Sequence, residues 1–379
     1  MHCFFHREAF VSYTYRCFFR LLVKCSLLCL TFLLAHSAAG QNQPEPTHFS
    51  DDAAGLYQRA AQVAAPSGAD ILFLEDEETI IFDDQGKAVH TWYVLYKVLT
   101  QRGADGWASI SIGWDPWRQE RPSLRARVIT ADNAVHTLDE KTVTDAPARE
   151  TQDSVFSNRR VIRAPLPAVA PGSLIEQEQT YSESAPFSGA GSIERFYFVG
   201  TVPVQHTRLL LDAPSTLPLR YDIRLLPDLK PQRTESNGRV RIVFDHGPLD
   251  SIDDVDPNLP NDVPAYPSVA FSTGASWQQV AEEYAKIVDQ QIANADVKSL
   301  VSRLISGKKS RDQKVAAILQ HVDREVRYTG VDFGEASVTP RTPGETLTRK
   351  YGDCKDKSAL LVAMLRSAGI PAYIALLKK

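Results

Sequence analysis

Residues 351–373 read YGDCKDKSALLVAMLRSAGIPAY, and this stretch decides the fold of the C-terminal part of the chain. Asp353 is of a residue type that commonly caps a helix N-terminus. The nearly unbroken apolar run over residues 358–368 predicts a helix that is buried on most of its faces. Gly369 supplies the conformation that ends a helix, and Pro371 prevents its continuation. The stretch therefore predicts one buried helix.

The cysteine of this stretch, Cys354, falls in the first turn of the predicted helix. Backbone N–H groups and the helix dipole stabilise a thiolate there, and Lys355 and Lys357 lie close in sequence. Asp356 is expected to interact favourably with the same positive end of the dipole. A thiolate is an effective nucleophile, whereas a lone cysteine is commonly a small core residue. The position alone supports both interpretations.

Upstream of this stretch, apolar residues recur at helical spacing over residues 275–326. Ser276 and Ser310 each precede a glutamine by three positions, as in a capping box, and so predict two helix starts. A shorter helix is predicted over residues 297–305. Residues 275–379 are therefore predicted to form a domain that is helical. The apolar face of its first helix comprises Trp277, Val280, Ala281, Tyr284, Ile287 and Val288.

Residues 70–246 show a different pattern, in which short runs rich in Val, Ile, Thr and aromatics alternate with turn residues. The runs 79–82 and 89–100 flank the turn sequence Asp-Asp-Gln-Gly and predict a hairpin. About ten such runs without helical periodicity predict an antiparallel β-sandwich or a related open barrel. Residues 40–69 are predicted to be a linker with a short helix. Residues 247–274, rich in Pro, Asp and Ser, are predicted to be a second linker or an extended strap between the domains.

The first 39 residues have the composition of an export signal. An apolar core over residues 25–35 is followed by the small residues Ser-Ala-Ala at 37–39, where cleavage would occur. Eleven apolar residues are too few to span a bilayer. Residues 1–39 are therefore predicted to be a signal peptide of a periplasmic or secreted protein, with no stable membrane span after cleavage; a retained anchor is the alternative. The positive residues before the core are Arg7, Arg16, Arg20 and Lys24.

Composition excludes several classes of protein. The chain of 379 residues is 43% apolar and 23% charged, as is ordinary for a globular protein. Its formal net charge of −4 gives no electrostatic reason to expect nucleic-acid binding. Four of its five cysteines lie in the first thirty residues, so Cys354 alone can support neither a disulfide framework nor a paired-cysteine zinc site. No cofactor or metal is predicted.

Residues 326–373 resemble the core of the transglutaminase-like superfamily, a papain-like fold that includes transglutaminases, cysteine peptidases and peptide amidases. A β-rich domain of unknown function commonly precedes such cores in bacterial exported proteins, and residues 70–244 look similar to it. The stretches that carry the first resemblance are Arg327-Tyr328, Gly330-Val331, Phe333-Gly334, Pro340, Tyr351-Gly352-Asp353-Cys354-Lys355-Asp356-Lys357 and Ala368-Gly369-Ile370-Pro371-Ala372.

By this resemblance Cys354 is the nucleophile of a cysteine, histidine and aspartate triad. In the family, the histidine and aspartate lie on strands that follow the cysteine helix. After Cys354 the sequence contains no histidine, and Asp356 is the one acid there. His321 precedes the cysteine, which is the wrong order for the family. The predicted fold class is α+β: an N-terminal antiparallel β-sandwich-like domain followed by a truncated papain-like, transglutaminase-like core, helical half only and incomplete at its C-terminus.

The resemblance implies a cysteine acyl-transfer enzyme of the cell envelope, a peptidase or amidase that acts on a peptide or protein substrate through a Cys354 thioester. Without the histidine and aspartate, the chain alone is predicted to be inactive. The alternative is a binding or scaffolding protein of the envelope, in which the β-rich domain recognises a partner and the transglutaminase-like domain is degenerate.

Overall fold

The computed structural model describes residues 48–50, 52–148, 155–184, 191–256, 258–260 and 263–376. Residues Asp52–Lys379 form one compact unit. The predicted signal peptide, residues 1–39, lies outside the described residues. None of the described helices combines the length and the apolar character that crossing a bilayer requires.

The chain folds into a β-rich part followed by a helical part. The helices are α1 (Ala53–Gln62), α2 (Gln101–Gly106), α3 (Trp277–Ile292), α4 (Lys298–Leu304), α5 (Arg311–Glu325), α6 (Pro343–Arg349) and α7 (Cys354–Ser367). The strands are β1 (Ile71–Phe82), β2 (Ala88–Val98), β3 (Ser109–Trp114), β4 (Ser123–Ile129), β5 (Val135–Thr137), β6 (Thr144–Pro147), β7 (Val155–Ser157), β8 (Arg160–Pro165), β9 (Leu174–Ser182), β10 (Ile193–Tyr197), β11 (Thr207–Pro214), β12 (Arg220–Arg224), β13 (Gln232–Ser236), β14 (Arg239–His246), β15 (Ser268–Ser272), β16 (Arg327–Tyr328), β17 (Gly330–Asp332) and β18 (Tyr351–Gly352). Short 3-10 turns cover Glu140–Thr142 and Gly334–Ser337.

The largest sheet has eight strands in the order β13-β14-β11-β1-β2-β9-β4-β5. One apolar core, with Tyr96 and Ile162 at its centre, lies between this sheet and the three-stranded sheet β3-β8-β6. A second core, with Phe198 and Phe244, lies between it and the sheet β10-β15-β12. The predicted α+β class is confirmed, because β-sheets dominate the N-terminal part and helices the C-terminal part.

Two details of the β-rich part differ from the prediction. Strand β1 pairs in parallel with β11, Asp76 opposite Thr207, whereas antiparallel pairing was expected throughout. The segment 247–274 is not a linker along its whole length, because Ser268–Ser272 forms the central strand of its sheet with Val269 and Phe271 buried. The alternation of apolar and polar residues in this strand was obscured by the prolines that precede it.

The helical part packs around α7. Val322 of α5 and Val301 of α4 contact its Leu360 and Met364 in one core cluster. Val288 of α3 packs with Ala359 of α7 in another. Ser276 and Ser310 cap α3 and α5 as predicted. The prediction that Trp277 belongs to the apolar face of α3 is wrong, because this residue is 80% exposed.

Backbone pairing joins the two parts of the molecule. Strand β17 of the helical part pairs in parallel with β7 of the β-rich part, with Gly330 opposite Val155 and Asp332 opposite Ser157. The side-chain amide oxygen of Asn158 accepts a hydrogen bond from the backbone N–H of Gly334, at 3.2 Å. The segment that follows β17 is therefore fixed by the β-rich part.

Candidate active site

The cysteine helix begins at the end of a short parallel strand pair. Strands β16 and β18 pair so that the N–H of Arg327 donates to the carbonyl of Lys350 at 2.9 Å, and that of Thr329 to Gly352 at 3.1 Å. Lys350 has a left-handed backbone with φ of 58°. This turn ends α6 and directs the chain into β18. Cys354 is then the first residue of α7.

Asp353 is the N-cap of α7, as predicted. Its carboxylate accepts hydrogen bonds from the N–H groups of Lys355, at 3.0 Å, and Asp356, at 3.3 Å. These bonds satisfy two of the donors that a helix start leaves without an intrahelical acceptor. The N–H of Cys354 itself, as the first of the helix, also has no acceptor within the helix.

Asp356 has a structural role that the sequence interpretation missed. Its side chain is buried and accepts hydrogen bonds from the N–H of Arg341 at 2.8 Å and of Asp353 at 3.4 Å. It thus completes a reciprocal capping box and holds the segment before α6 against the helix start. The packing requires glycine at 352, since a Cβ atom there would lie 2.7 Å from the Cβ of Asp356.

The thiol of Cys354 is free and exposed. A core cysteine, the interpretation that the sequence left open, is therefore wrong. The exposed thiol lies on a helix whose next turns, with Ala359 and Leu360, are fully buried. The helix is anchored in the apolar core, while the thiol at its start remains exposed.

The two lysines that flank the motif anchor the helix start. The ammonium group of Lys355 pairs with the Asp353 carboxylate and lies 3.5 Å from the carbonyl oxygen of Val331 in β17. Lys357 donates to the carbonyl of Val326 at 3.0 Å. Both side chains thus contribute to holding the helix against the strands before it, besides the positive charge expected from the sequence.

A cavity of about 680 Å³ opens beside Cys354. Its walls come from α3, α7, the end of the 3-10 turn at Gly334–Ser337 and the extended residues 372–376. Most of its lining is apolar. The lining residues with a thiol, amine or hydroxyl group are Cys354, Lys355, Ser358, Ser337 and Tyr284. The apolar ones include Val280, Ile287, Leu361, Val362 and Leu365.

Tyr284 is a site residue that sequence reasoning placed only in the apolar face of a helix. Its hydroxyl donates to the carbonyl of Val338 at 3.4 Å. Burial first, and then electrostatic interaction with Cys354 and Asp353, raise the pKa of its phenol. Tyr284 therefore lies within electrostatic reach of the thiol. Its spacing in α3 gives no signal of this, because the contact depends on how α3 packs against α7.

The structure brings no histidine to the cavity among the residues it describes. His321 lies on α5, the helix whose Ile318 and Val322 pack against α7. His321 is not among the residues that line the cavity.

Two segments of the chain match known protein families. Residues 84–252 match DUF3857, a domain of unknown function with a solved structure. Residues 298–376 match the transglutaminase-like superfamily. A comparison with curated protein sequences found no match.

Among solved structures, a candidate protease of Parabacteroides distasonis ATCC 8503 superposes with a TM-score of 0.65 at 14% identity, covering 80% of this chain and 59% of that one. The chain thus spans about three fifths of this neighbour, and the likeness shows the fold alone. An M1 zinc metallopeptidase of Deinococcus radiodurans has a TM-score of 0.29 at 11% identity, covering 53% of this chain and 42% of that one. That score is too low to bear on the fold. By the two family matches, residues 84–252 are a DUF3857 domain, and residues 298–376 belong to the transglutaminase-like superfamily.

Proposed function

We propose that this chain contributes the nucleophile and a substrate-binding cavity to a cysteine acyl-transfer site, of a peptidase or amidase that acts on peptide or protein amides. The observation that carries the proposal is the exposed thiol of Cys354 at the start of a buried helix, beside a largely apolar cavity. The transglutaminase-like match and the likeness in fold to a candidate protease support a peptidase-like role.

The first chemical step would be attack of the Cys354 thiolate on the amide carbonyl. The carbon–sulfur bond forms, and the carbonyl electron pair moves to oxygen. The N–H of Cys354 at the helix start is a donor that can stabilise this oxyanion. Collapse of the adduct leaves a thioester and expels an amine, which must receive a proton as it departs.

The second step would return the free enzyme. Water or an amine attacks the thioester carbonyl, the carbon–sulfur bond breaks, and the thiolate leaves. Hydrolysis is the proposed outcome, because water is always present and the described residues show no dedicated amine site. The apolar lining of the cavity, with Ile287, Leu361 and Leu365, favours a substrate with an apolar side chain next to the scissile bond.

The departing amine must receive a proton, which is the role of the histidine in the triad that the family resemblance implies. General acid catalysis contributes about 100- to 10,000-fold in rate, and no histidine lines the cavity among the described residues. We propose that this chain is acylated at Cys354 by activated esters but does not turn over amides. A phenolate leaves without needing a proton. An activated ester therefore reports attack by the thiolate separately from protonation of the leaving group.

The test is acylation by p-nitrophenyl acetate of a 379-residue chain in which Cys3, Cys17, Cys25 and Cys29 are replaced by Ser, so that Cys354 is its one thiol. A burst of nitrophenolate approaching one equivalent is expected, with the acetyl group found on Cys354 by peptide mass mapping. Cys354→Ala is expected to abolish that burst, and acylation of the urea-unfolded chain gives the rate of an ordinary thiol. No burst above that rate would favour the non-catalytic, scaffolding alternative.

For amide substrates, in contrast to activated esters, no reaction is expected. The chain is expected to show no measurable hydrolysis of peptide anilides, followed by absorbance over hours at enzyme concentrations that reveal the ester burst. Amide hydrolysis by the unaltered chain that disappears in Cys354→Ala would contradict the proposal that amide turnover requires a histidine beside the cysteine.

We further propose that the protein is exported to the periplasm or secreted. The support is the sequence of residues 1–39, with a basic start, an apolar core over residues 25–35 and small residues at 37–39. Expression of the full chain in a bacterial host, followed by N-terminal sequencing of the periplasmic fraction, is expected to find a start close to residue 40. An uncleaved N-terminus in the cytosolic fraction would contradict export.

A further inference from the structure

A buried histidine in the DUF3857 domain is surrounded by carboxylates. His90 of β2 has a side chain that is 1% exposed. Glu78 of β1 places an oxygen 3.3 Å from its Nδ1, and Glu194 of β10 places one 3.6 Å from its Nε2. Glu183, just after β9, contributes a third carboxylate to the group. Neither ring nitrogen faces open solvent.

The two ring nitrogens of His90 differ in their partners. Nδ1 lies within hydrogen-bond distance of Glu78, whereas the buried Nε2 has no hydrogen-bond partner. Tyr181 stacks on the ring with centroids 4.4 Å apart and an angle of 8° between planes, which fixes its orientation. With the proton on Nδ1 and donated to Glu78, the Nε2 lone pair points toward Glu183 and Glu194. A carboxylate behind a histidine in this way is the usual support of a metal ligand.

The spacing of the three groups suits a small cation. One ligand atom each from His90, Glu183 and Glu194 lies within 4.8 Å of the others. A tetrahedral ion bound at 2.0–2.2 Å separates its ligands by about 3.4 Å, and the 3.6 Å between His90 and Glu194 is close to that value. Glu183 is held by the N–H of Ala88 at 3.1 Å and by Arg118 at 3.3 Å. Each of its oxygens retains a second lone pair for a ligand.

The charge balance of the pocket also calls for a cation. With the imidazole in the neutral form that can bind a metal, three carboxylates, on Glu78, Glu183 and Glu194, face one guanidinium, on Arg118, which also lies 3.9 Å from Asp115. Three negative charges and one positive charge leave a net charge of −2 in a largely buried site. A divalent ion would cancel the excess charge.

We propose that His90, Glu183 and Glu194 bind a divalent transition-metal ion, with Glu78 as the positioning residue behind His90. One imidazole and two carboxylates form a ligand set that Zn²⁺ accepts. The side chains of Glu194 and Glu78 are 30% and 21% exposed, so an ion can enter from their side. The site ties β2 to β10 and to the end of β9, and so links two sheets of the domain.

A second histidine cluster in the same domain provides the contrast. Both ring nitrogens of His206 have carboxylate partners, Glu75 at 2.5 Å and Asp245 at 3.0 Å. These hydrogen bonds, with Asp245 first, raise the pKa of His206 to about 10. The ring is therefore an imidazolium that donates from both nitrogens and offers no lone pair. This cluster is an ion-pair network, and it serves as the matched control.

A proton is the competitor for the ion at His90. Burial alone would lower the pKa of His90, but the hydrogen bond with Glu78 and the charges of Glu194 and Glu183 outweigh burial and raise it. Metal binding must displace any proton on Nε2, so the affinity is expected to fall as the pH is lowered. An imidazolium that simply neutralises the carboxylates is the alternative state of this cluster.

The test is equilibrium dialysis of the untagged full chain against ZnCl₂, after chelator treatment and alkylation of all thiols with iodoacetamide. One tightly bound Zn²⁺ per chain is expected at pH 7.5, measured by elemental mass spectrometry, with weaker binding at pH 6. Glu194→Gln and His90→Gln are each expected to weaken binding by about 100-fold, and Glu78→Gln by about tenfold. His206→Gln is expected to leave the affinity unchanged.

Circular dichroism of each variant checks that it folds, and the partly exposed Glu194 provides a variant that preserves the core if His90→Gln does not fold. The proposal is overturned if the folded chain binds no stoichiometric Zn²⁺ at either pH, which would leave the imidazolium cluster. It is equally overturned if Glu194→Gln binds Zn²⁺ as tightly as the unaltered chain.

Discussion

The requirement for glycine at position 352 comes from the close approach of one side chain, that of Asp356. A methyl group at Gly352 would lie 2.7 Å from the Cβ of Asp356, inside the capping box that starts α7. Gly352→Ala is therefore expected to lower the free energy of unfolding by about 1–3 kcal/mol, measured by urea denaturation. Because Asp356 must move, the ester burst at Cys354 is expected to slow as well.

Gly344 provides the control for this substitution. It lies in α6, and a Cβ atom there would have no heavy atom within 4 Å. Gly344→Ala is expected to be neutral or to stabilise the protein by up to about 1 kcal/mol. Equal losses of stability in the two variants would mean that the contact with Asp356 does not decide the requirement at 352.

At this scale the sequence was informative where the interactions are local. Asp353 as an N-cap follows from residues two and three positions away, so its role could be predicted. The hydrogen bond of Asp356 to the N–H of Arg341 and the approach of Tyr284 to the cysteine depend on separate segments coming together. No spacing within one element encodes such contacts. The role of Cys354 as the nucleophile stays a prediction.

Among the elements, strands β1, β11 and β14 are connected by a charged network with a pH dependence of its own. His206, next to β11, joins Glu75 of β1 to Asp245 of β14. Its pKa is raised from 6.5 to about 10 in the folded protein. A raised pKa means that the stabilisation is fully present below about pH 6.5 and is lost as the pH rises through about 10. Asp245 has a lowered pKa, so its contribution is lost instead at acid pH.

The stability difference between the unaltered chain and His206→Gln is therefore expected to be largest between pH 5 and about 6.5 and to shrink toward pH 10. Urea denaturation at pH 5, 6.5, 8 and 10 measures it, and taking the difference removes the titration of unrelated groups. A difference that grows with pH would show that the imidazole is not held as a cation in the folded protein.

Which elements could be predicted depended on how strongly each is encoded in its own residues. The capped helices α3 and α5 have amphipathic patterns and local hydrogen bonds, and both were expected. Helix α6 and strand β15 are short and adjoin prolines. Because prolines are typical of turns and loops, the sequence does not indicate either element. The parallel pairing of β1 with β11 joins segments that are distant in sequence, and alternation along a strand does not reveal its neighbour.

In the whole molecule, the DUF3857 domain and the cysteine-bearing part share a hydrogen-bonded boundary. Asn158 accepts a hydrogen bond from the N–H of Gly334, just beyond the β7–β17 pair and before the cavity wall at Ser337. Asn158→Ala is expected to cost about 1 kcal/mol of stability and to speed hydrogen exchange at Gly334. Exchange mass spectrometry of peptides covering 330–338 measures the change.

Gln278→Ala is the control for the boundary. Gln278 also makes an exposed side-chain hydrogen bond, but its partner, Glu282, lies within the same helix α3. It is expected to leave exchange at 330–338 unaltered. Unchanged exchange in Asn158→Ala would mean that strand pairing alone holds the segment.

The parallel pair at the centre of the main sheet also sets the order of events while the chain is being made. Glu75 and His206, which bond across it, are 131 positions apart. At synthesis rates of about 5–20 residues per second, β11 is completed about 7–26 s after β1. Strand β1 can form a hairpin with β2 early, but its other edge stays unpaired until β11 has been synthesised. A newly made chain therefore carries an unpaired strand edge for many seconds, which is the period when it is most prone to associate with other chains.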